Sequence, residues 1–207
     1  MLTGGYILCG IPVQTKLLPR AERRASILQG AAAAFARSGF AHTSMEDVAS
    51  ACGVTKLILY RHFETKEELY RAILQRVFDR LGQELDAGIK AGSLRGLGAR
   101  TQLRVAREDP DSYTLLWRHA AREPMFAAYA AEARAICIEV VRQMSRFDSA
   151  DAVVDHWQAE VLFSYLVDAT LTWLDNGDPS RDEYIVGRTT VGLHALRDAW
   201  APALNPA

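Results

Sequence analysis

The sequence predicts an all-α protein, with an N-terminal helix-turn-helix domain followed by a larger C-terminal helical domain, about nine helices in all. Three observations carry this. Apolar residues recur at three- and four-residue spacing through most of the 207 residues. No stretch of useful length alternates apolar and polar residues as a half-buried strand does, and no internal repeat is present. Within residues 44–63, two short amphipathic segments meet at a glycine turn, Cys52-Gly53-Val54.

The first helix runs over about 19–38, with Ile27, Leu28, Ala31, Ala34 and Phe35 on one face. Ser38-Gly39 ends it, Gly39 being free to take a left-handed cap conformation, and Phe40 folds back on the apolar face. The second helix opens at Thr43 or Ser44: Thr43 with Glu46, or Ser44 with Asp47, fits a capping box. Met45, Val48 and Ala49 face inward, and Gly53 closes this helix where a positive φ is needed. Thr55 caps a short third helix over about 56–62. Thr65 with Glu68 makes another capping box, opening a fourth helix over about 66–88 that buries Leu69, Ile73, Val77 and Leu81.

Gly88, Gly92, Gly96 and Gly98 read as a flexible joint between the two domains. They follow no strand and precede no Gly-Lys-Ser/Thr, so a phosphate loop is disfavoured. The helical pattern then ends near Asp109-Pro110, resumes over about 111–122, and restarts with Pro124 as a first helical residue, reaching about residue 146. It runs again over about 150–175, stops at Asn176-Gly177-Asp178-Pro179, and finishes over about 182–200. The expected division is a flexible leader at 1–18 (or a start assigned too far upstream), a head at 19–66 and a body at 67–207.

Charge is unevenly spread. Residues 16–66 hold eight Lys and Arg against four Asp and Glu, a net +4, which leaves −5 for residues 67–207 of the total −1. A positive head on a negative body suits a chain that meets phosphate at one end. Three cysteines without CxxC spacing make neither a disulfide framework nor a zinc site and point to a reducing, cytoplasmic setting. No window approaches the roughly 18 apolar residues of a membrane span, and the first fifteen residues lack the basic start of a signal peptide.

The segment after the turn is the most specific. Leu59, Tyr60, His62, Phe63, Lys66 and Leu69 stand in the order Leu-Tyr-x-His-Phe-x-x-Lys-x-x-Leu, after Thr43-Ser44-Met45-Glu46-Asp47-Val48-Ala49 and Gly53-Val54-Thr55. A helix-turn-helix of this kind places a short helix in the major groove of DNA. Thr55 and Lys56 open that helix, whose N-terminus points donors at phosphate or base edges. Lys56, Leu57 and Ile58 are the groove-facing set, the two apolar side chains suiting thymine methyl groups. Tyr60 and His62 reach backbone phosphates, Lys66 adds charge at the start of the next helix, and Thr43 bonds another phosphate. Arg61 is either groove-facing or merely solvated, and Phe63 is core.

Over about residues 20–70 the chain resembles the TetR family of bacterial transcriptional regulators. The resemblance implies a homodimer and a ligand-binding C-terminal domain, with the last two long helices pairing with their mates. Val161, Tyr165, Ala169 and Trp173 on one, and Val186, Thr190, Leu193 and Leu196 on the other, are the candidate interface. A dimer also follows from reading a palindromic operator, whose half-sites lie about 34–36 Å apart. For the effector pocket the candidates are Tyr113, Trp117, His119, Phe126, Tyr129, Cys137, Trp157, Phe163 and Asp168, and their aromatic character favours an apolar or aromatic small molecule.

Cofactor and metal are expected to be absent. No basic cluster flanks Cys137 as a redox sensor needs, and His119 and His156 lack ligand spacing. Without a nucleophile elbow, metal motif or nucleotide fingerprint, the chain does not read as an enzyme. The expected function is an effector-released repressor. An activator of the same fold, and more remotely a helical enzyme or a protein-interaction module, are the alternatives.

Overall fold

The computed structural model describes residues 19–145, 147 and 151–200, so the expected leader lies outside the described residues. Helix α1 spans Arg20–Ser38 and buries the expected stripe from Ile27 to Phe35. It ends at Gly39, whose φ of 77° is positive as expected but whose ψ of 160° is extended, so the chain leaves the helix sharply. Helix α2, Met45–Ala51, resolves the choice of cap in favour of Ser44. Ser44 Oγ accepts from Asp47 N (3.1 Å) while Ser44 N donates to Asp47 Oδ2 (2.9 Å), satisfying two otherwise orphan donors.

Helix α3, Lys56–Tyr60, stops one half-turn short of the expected end, and Thr55 Oγ1 caps it by accepting from Ile58 N (3.3 Å). Helix α4 spans Lys66–Lys90, about 37 Å long at 1.5 Å per residue. It buries Leu69, Ile73, Val77 and Leu81 as expected, and Tyr70 and Leu74 besides. Near its start it packs on α1, and further along on α5, Leu97–Glu108. The two regions are therefore joined by one uninterrupted helix. The glycine-rich segment expected to be their joint is the turn at the far end of α4, where a Cβ on Gly88 would stand 2.1 Å from Leu97 Cδ1.

Helix α6, Pro110–Thr114, begins with Pro110 in the first turn and Asp109 as cap, then widens into a π-helix over Leu115–His119 and tightens into a 3₁₀ turn over Ala120–Arg122. Pro124 does not start a helix. It lies in a turn closed by Phe126 N donating to Glu123 O (2.9 Å), and α7 begins only at Ala127, running to Ser145. Helices α8, Ala152–Asn176, and α9, Asp182–Trp200, follow the expected spans closely. Among the described residues there are nine α-helices and no strand. Helix α5 packs on α4, α8 and α9, while α7 pairs with α8.

One apolar core runs without a break from α1 through α4 into α6, α7 and α8. At the seam the rings of Phe35, Phe40, Tyr70 and Phe126 interlock, Phe126 lying 5.1 Å from Phe40 and 4.5 Å from Tyr70 between centroids. A polar tie crosses the same seam. Arg76 of α4 donates to Ala25 O of α1 (3.2 Å) and pairs with Asp109, the cap of α6, which also accepts from Ser112 Oγ (2.8 Å).

Candidate functional site

The turn between α2 and α3 rests on two glycines. Gly53 has φ 62°, a left-handed conformation that a side chain rarely adopts, and the turn lets Val54 N donate to Ala49 O (3.0 Å). Gly30, mid-way along α1, permits close approach: a Cβ there would stand 2.8 Å from Cys52 Sγ, which donates to Ile27 O (3.4 Å). Val48, Ala49, Leu59 and Phe63 are buried and hold α3 against α1 and α2. Phe63 is core, as expected, with the Arg24 guanidinium 4.8 Å above its ring.

This packing turns one side of α3 outward. Leu57 is 62% and Tyr60 41% exposed, and Lys56 and Arg61 are exposed beside them. An isolated exposed leucine is ordinary; here Leu57 lies next to a tyrosine and two cations. Lys56 pairs with Glu46 of α2 and lies 5.7 Å from the Tyr60 ring centroid. That contact holds the Glu46 carboxyl below the usual range and pushes the Lys56 ammonium up.

Packing constrains four of the expected DNA-facing residues. Thr43 is buried, and its hydroxyl donates inward to Gly39 O (2.7 Å), where it closes the loop rather than standing at the surface. Lys66 Nζ donates to Phe40 O (2.8 Å) and lies 4.3 Å over the Phe40 ring, so its charge latches α4 to the loop after α1. Ile58 is half-buried against the core because it stands about 100° round the helix from Leu57, toward the buried side that Leu59 occupies. His62 is half-buried; burial, and then Arg20, Arg24 and Arg23, hold its imidazole below the ordinary value of 6.5.

In the body, a cavity of about 470 Å³ opens between α4, α5, α7 and α8. Of the nine expected pocket residues only Cys137 and Phe163 line it. Burial pushes the Cys137 thiol up to about 12, so it stays protonated. Tyr113 is solid core, its hydroxyl donating to Gln102 Oε1 (2.8 Å), and Trp117 packs behind the wall, 5.2 Å from the Phe163 ring. His119 is half-buried at the end of the π-helix, which lowers its pKa. Phe126 belongs to the ring cluster at the seam. Tyr129 donates to Gln75 Oε1 (3.1 Å) on the flank of α4. Trp157, 52% exposed, packs on Trp200, and Asp168 is exposed on α8. A second, more polar hollow of about 680 Å³ shares Gly98, Val141, Met144 and Leu166 with the first and reaches His194 and Arg197.

The family model for bacterial regulatory proteins of the tetR family matches residues 27–73, from mid-α1 into α4. The HTH-type transcriptional activator FasR of Mycolicibacterium smegmatis is 32% identical over 181 residues, covering 82% of this chain and 81% of its own length.

The chain belongs to the tetR family.

It is accordingly a DNA-binding transcriptional regulator. The fold has solved counterparts. A TetR-like transcriptional regulator from Rhodococcus sp. RHA1 superposes with a TM-score of 0.70 at 23% identity, over 87% of this chain and 96% of that one. AibR in complex with isovaleryl coenzyme A and operator DNA superposes with a TM-score of 0.61 at 20% identity, over 83% and 97%. No described helix of this tetR-family chain is long and apolar enough to cross a membrane.

Sequence reasoning missed two groups in this regulator. Arg20, Arg23 and Arg24, at the start of α1, gather around His62. They were visible as part of the positive charge of residues 16–66, but nothing in the spacing brings α1 to the end of α3. Thr101 and Gln102, both buried, line the cavity. Their signal was two polar residues set between Leu97 and Val105 on the inward side of α5.

Proposed function

We propose that this regulator is a homodimeric repressor that reads a palindromic operator through α3 and leaves it when a small apolar effector enters the cavity of the body. The observation that carries the DNA-facing part is the outward side of α3, where Lys56, Leu57, Tyr60 and Arg61 stand clear of the fold. Thr55 presents the N-terminus of that helix, and His62 with the α1 arginines supplies a cationic flank for phosphate. Phosphate would compete with Glu46 for Lys56, an exposed pair whose loss costs little. Thr43 and Lys66 act by fixing the loop between α1 and α2.

Residues 19–66 form the DNA-reading unit in this scheme and 67–207 the effector and dimerisation unit, with α4 common to both. The last two helices supply the dimer face. The expected interface shifts around them: Val186 and Thr190 are buried within the chain, and Trp173 donates to Asp182 Oδ1 (2.7 Å). The exposed apolar residues are instead Val153, Val154 and Trp157 on α8 and Tyr184 and Val191 on α9. Val191 is 58% exposed. The Val191→Arg variant is expected to sediment as a monomer at concentrations where the parent is a dimer, and to lose cooperative operator binding. A V191R protein that remains dimeric removes α9 from the interface.

The route from cavity to DNA runs through packed elements. Gln102 lines the cavity and holds Tyr113; Tyr113 lies on α6, which packs on α1, and Arg76 pins the cap of α6 to α1. An effector that prefers one setting of α6 shifts the separation of the two heads by its differential affinity. The FasR relative is named an activator, and activation is therefore the second reading. The sign depends on where the operator lies relative to the promoter.

Selection of binding duplexes from a random pool tests the central proposal. The expected product is a palindrome whose half-sites suit two α3 helices. Recovery of no sequence, or of a lone half-site bound by a monomer, defeats it. His62 adds a pH signature. Held below 6.5 in the free protein, it is largely neutral at pH 7, and a neighbouring phosphate raises it. Binding then takes up a proton, so operator affinity should rise as pH falls from 7.5 to 6. The His62→Gln variant should show a flatter profile; an unchanged profile removes His62 from the phosphate contacts.

A further inference from the structure

We infer that the body cavity is built for an uncharged, largely apolar molecule carrying one carbonyl-type oxygen, which accepts from the Thr101 hydroxyl and the Gln102 amide. This rests on the reading of the body as an effector domain and names the chemistry of its ligand.

The first support is an orphan. Thr101 is only 4% exposed, lines the cavity, and its Oγ1 is buried without a hydrogen-bond partner. A buried hydroxyl left unpaired costs free energy that a ligand acceptor recovers. Within a helix a threonine can donate back to the carbonyl four residues earlier, as Thr170 of α8 and Thr190 of α9 do here at 2.8 and 2.7 Å. Thr101 does not. Next to it, Gln102 is also buried and lines the cavity. Its Oε1 accepts from Tyr113, so the amide nitrogen is the end it can offer a ligand. Two donors on adjacent residues of α5 thus border an otherwise greasy space.

The second support is the charge of the wall. Asp79 is the one charged residue among those lining this cavity, and it already accepts from Gln75 Nε2 (2.7 Å). No cation is present there to receive a carboxylate or phosphate, and a carboxylate nearby opposes one. Most of the remaining lining is apolar, Phe78, Leu81, Ile136, Val140, Met144 and Phe163 among it. At roughly the 30 Å³ that a water fills in the liquid, taken as the size of a methylene, 470 Å³ admits about fifteen such groups. The class is then a ketone, ester, lactone or amide on an apolar frame of about ten to fifteen heavy atoms.

The test is calorimetric titration of the full chain with three probes: 2-undecanone, undecane and decanoate. The ketone is expected to bind at least tenfold more tightly than either the alkane, which lacks the acceptor, or the acid, which brings an unpaired charge. The Thr101→Val variant keeps the shape and removes the donor. It should lose about tenfold for the ketone, the value of one neutral hydrogen bond, and nothing for the alkane. Thr101→Ser should restore the ketone affinity. A cooperative melt no lower than the parent's is expected for T101V, since only an unsatisfied group is removed. Equal losses for ketone and alkane, no loss for either, decanoate binding as tightly as the ketone, or no binding of any probe overturns the inference. An operator gel run alongside separates the two levels. Ketone binding with the T101V signature but without release from DNA refutes the effector-released reading and leaves the ligand chemistry standing.

Discussion

Changing both Lys56 and Tyr60 to Ala is expected to weaken operator binding by about a hundredfold while leaving the fold intact. In the proposed reading Tyr60 meets a backbone phosphate, and so does Lys56 once it leaves Glu46; hydrogen bonds to charged groups contribute about 1.5–3 kcal/mol each, so two together reach about 3 kcal/mol or more. A factor of ten corresponds to about 1.4 kcal/mol. The lost ammonium should also reduce the slope of log affinity against log salt by about 0.9, because one fewer counterion is released. The loss should be similar on specific and unrelated duplexes, since phosphate contacts position the protein without reading sequence. Stability should change little: both side chains are exposed, and the Lys56–Glu46 contact is a surface pair. Gel shifts at three salt concentrations, with a melting curve on the same sample, measure all of this. An unchanged salt slope would show that Lys56 meets no phosphate, and unchanged affinity would take this side of α3 off the DNA altogether.

The largest stability effect is expected at Phe126. Its ring is fully buried and packs on Phe40 from the loop after α1 and on Tyr70 from α4. Deleting such a ring leaves a cavity and typically costs about 3–5 kcal/mol. For a chain of this length that lowers Tm by roughly 10 °C. Phe126 lies in the turn before α7, so its loss strikes the contact between head and body in particular. The Phe126→Ala protein should still bind operator well below its melting temperature. In the proposed reading its response to an effector should also be blunted, because the turn before α7 no longer packs on the loop after α1 and on α4. Thermal denaturation and ligand-dependent release from DNA check the two parts separately. A drop under about 1 kcal/mol would mean that the seam collapses to fill the hole and that the interlocked rings do not brace it.

The same residue illustrates where reading the chain reached its limit. Phe126 was expected in a ligand pocket because aromatic and polar residues mingle around it, and it is a strut. Trp117 and Tyr113 were expected there too, and one is behind the cavity wall and the other in solid core. An aromatic on the inner side of a helix looks identical in sequence whether it touches another side chain or an empty space. Cys137 and Phe163, which do line the cavity, carried no distinguishing pattern. Thr101 and Gln102 did carry one, as polar residues where α5 should be apolar, and that departure pointed to the site better than the aromatics did.

For Lys66 and Thr43 the structure adds a local role. Each belongs to a motif that matches the tetR family, and each was assigned to phosphate. The motif preserves their positions, but the local geometry employs both on the loop at 39–43: Thr43 Oγ1 on Gly39 O and Lys66 Nζ on Phe40 O. A hydroxyl or ammonium in a short loop finds the nearest free carbonyl, because an unpaired buried C=O is costly.

Legible in the sequence alone were most of the helices, the caps of α2, α3 and α4, the helix-turn-helix and the family. All of these depend on contacts between residues a few positions apart: side chains reaching back to cap the first turn, a glycine where φ must be positive, apolar residues three and four apart. Long-range packing sets which side chains of α3 stand free, that the glycine segment turns α4 into α5, and which residues of the body surround a void. Those depend on distances between segments far apart in the chain, set by how whole helices pack, and no local pattern encodes them.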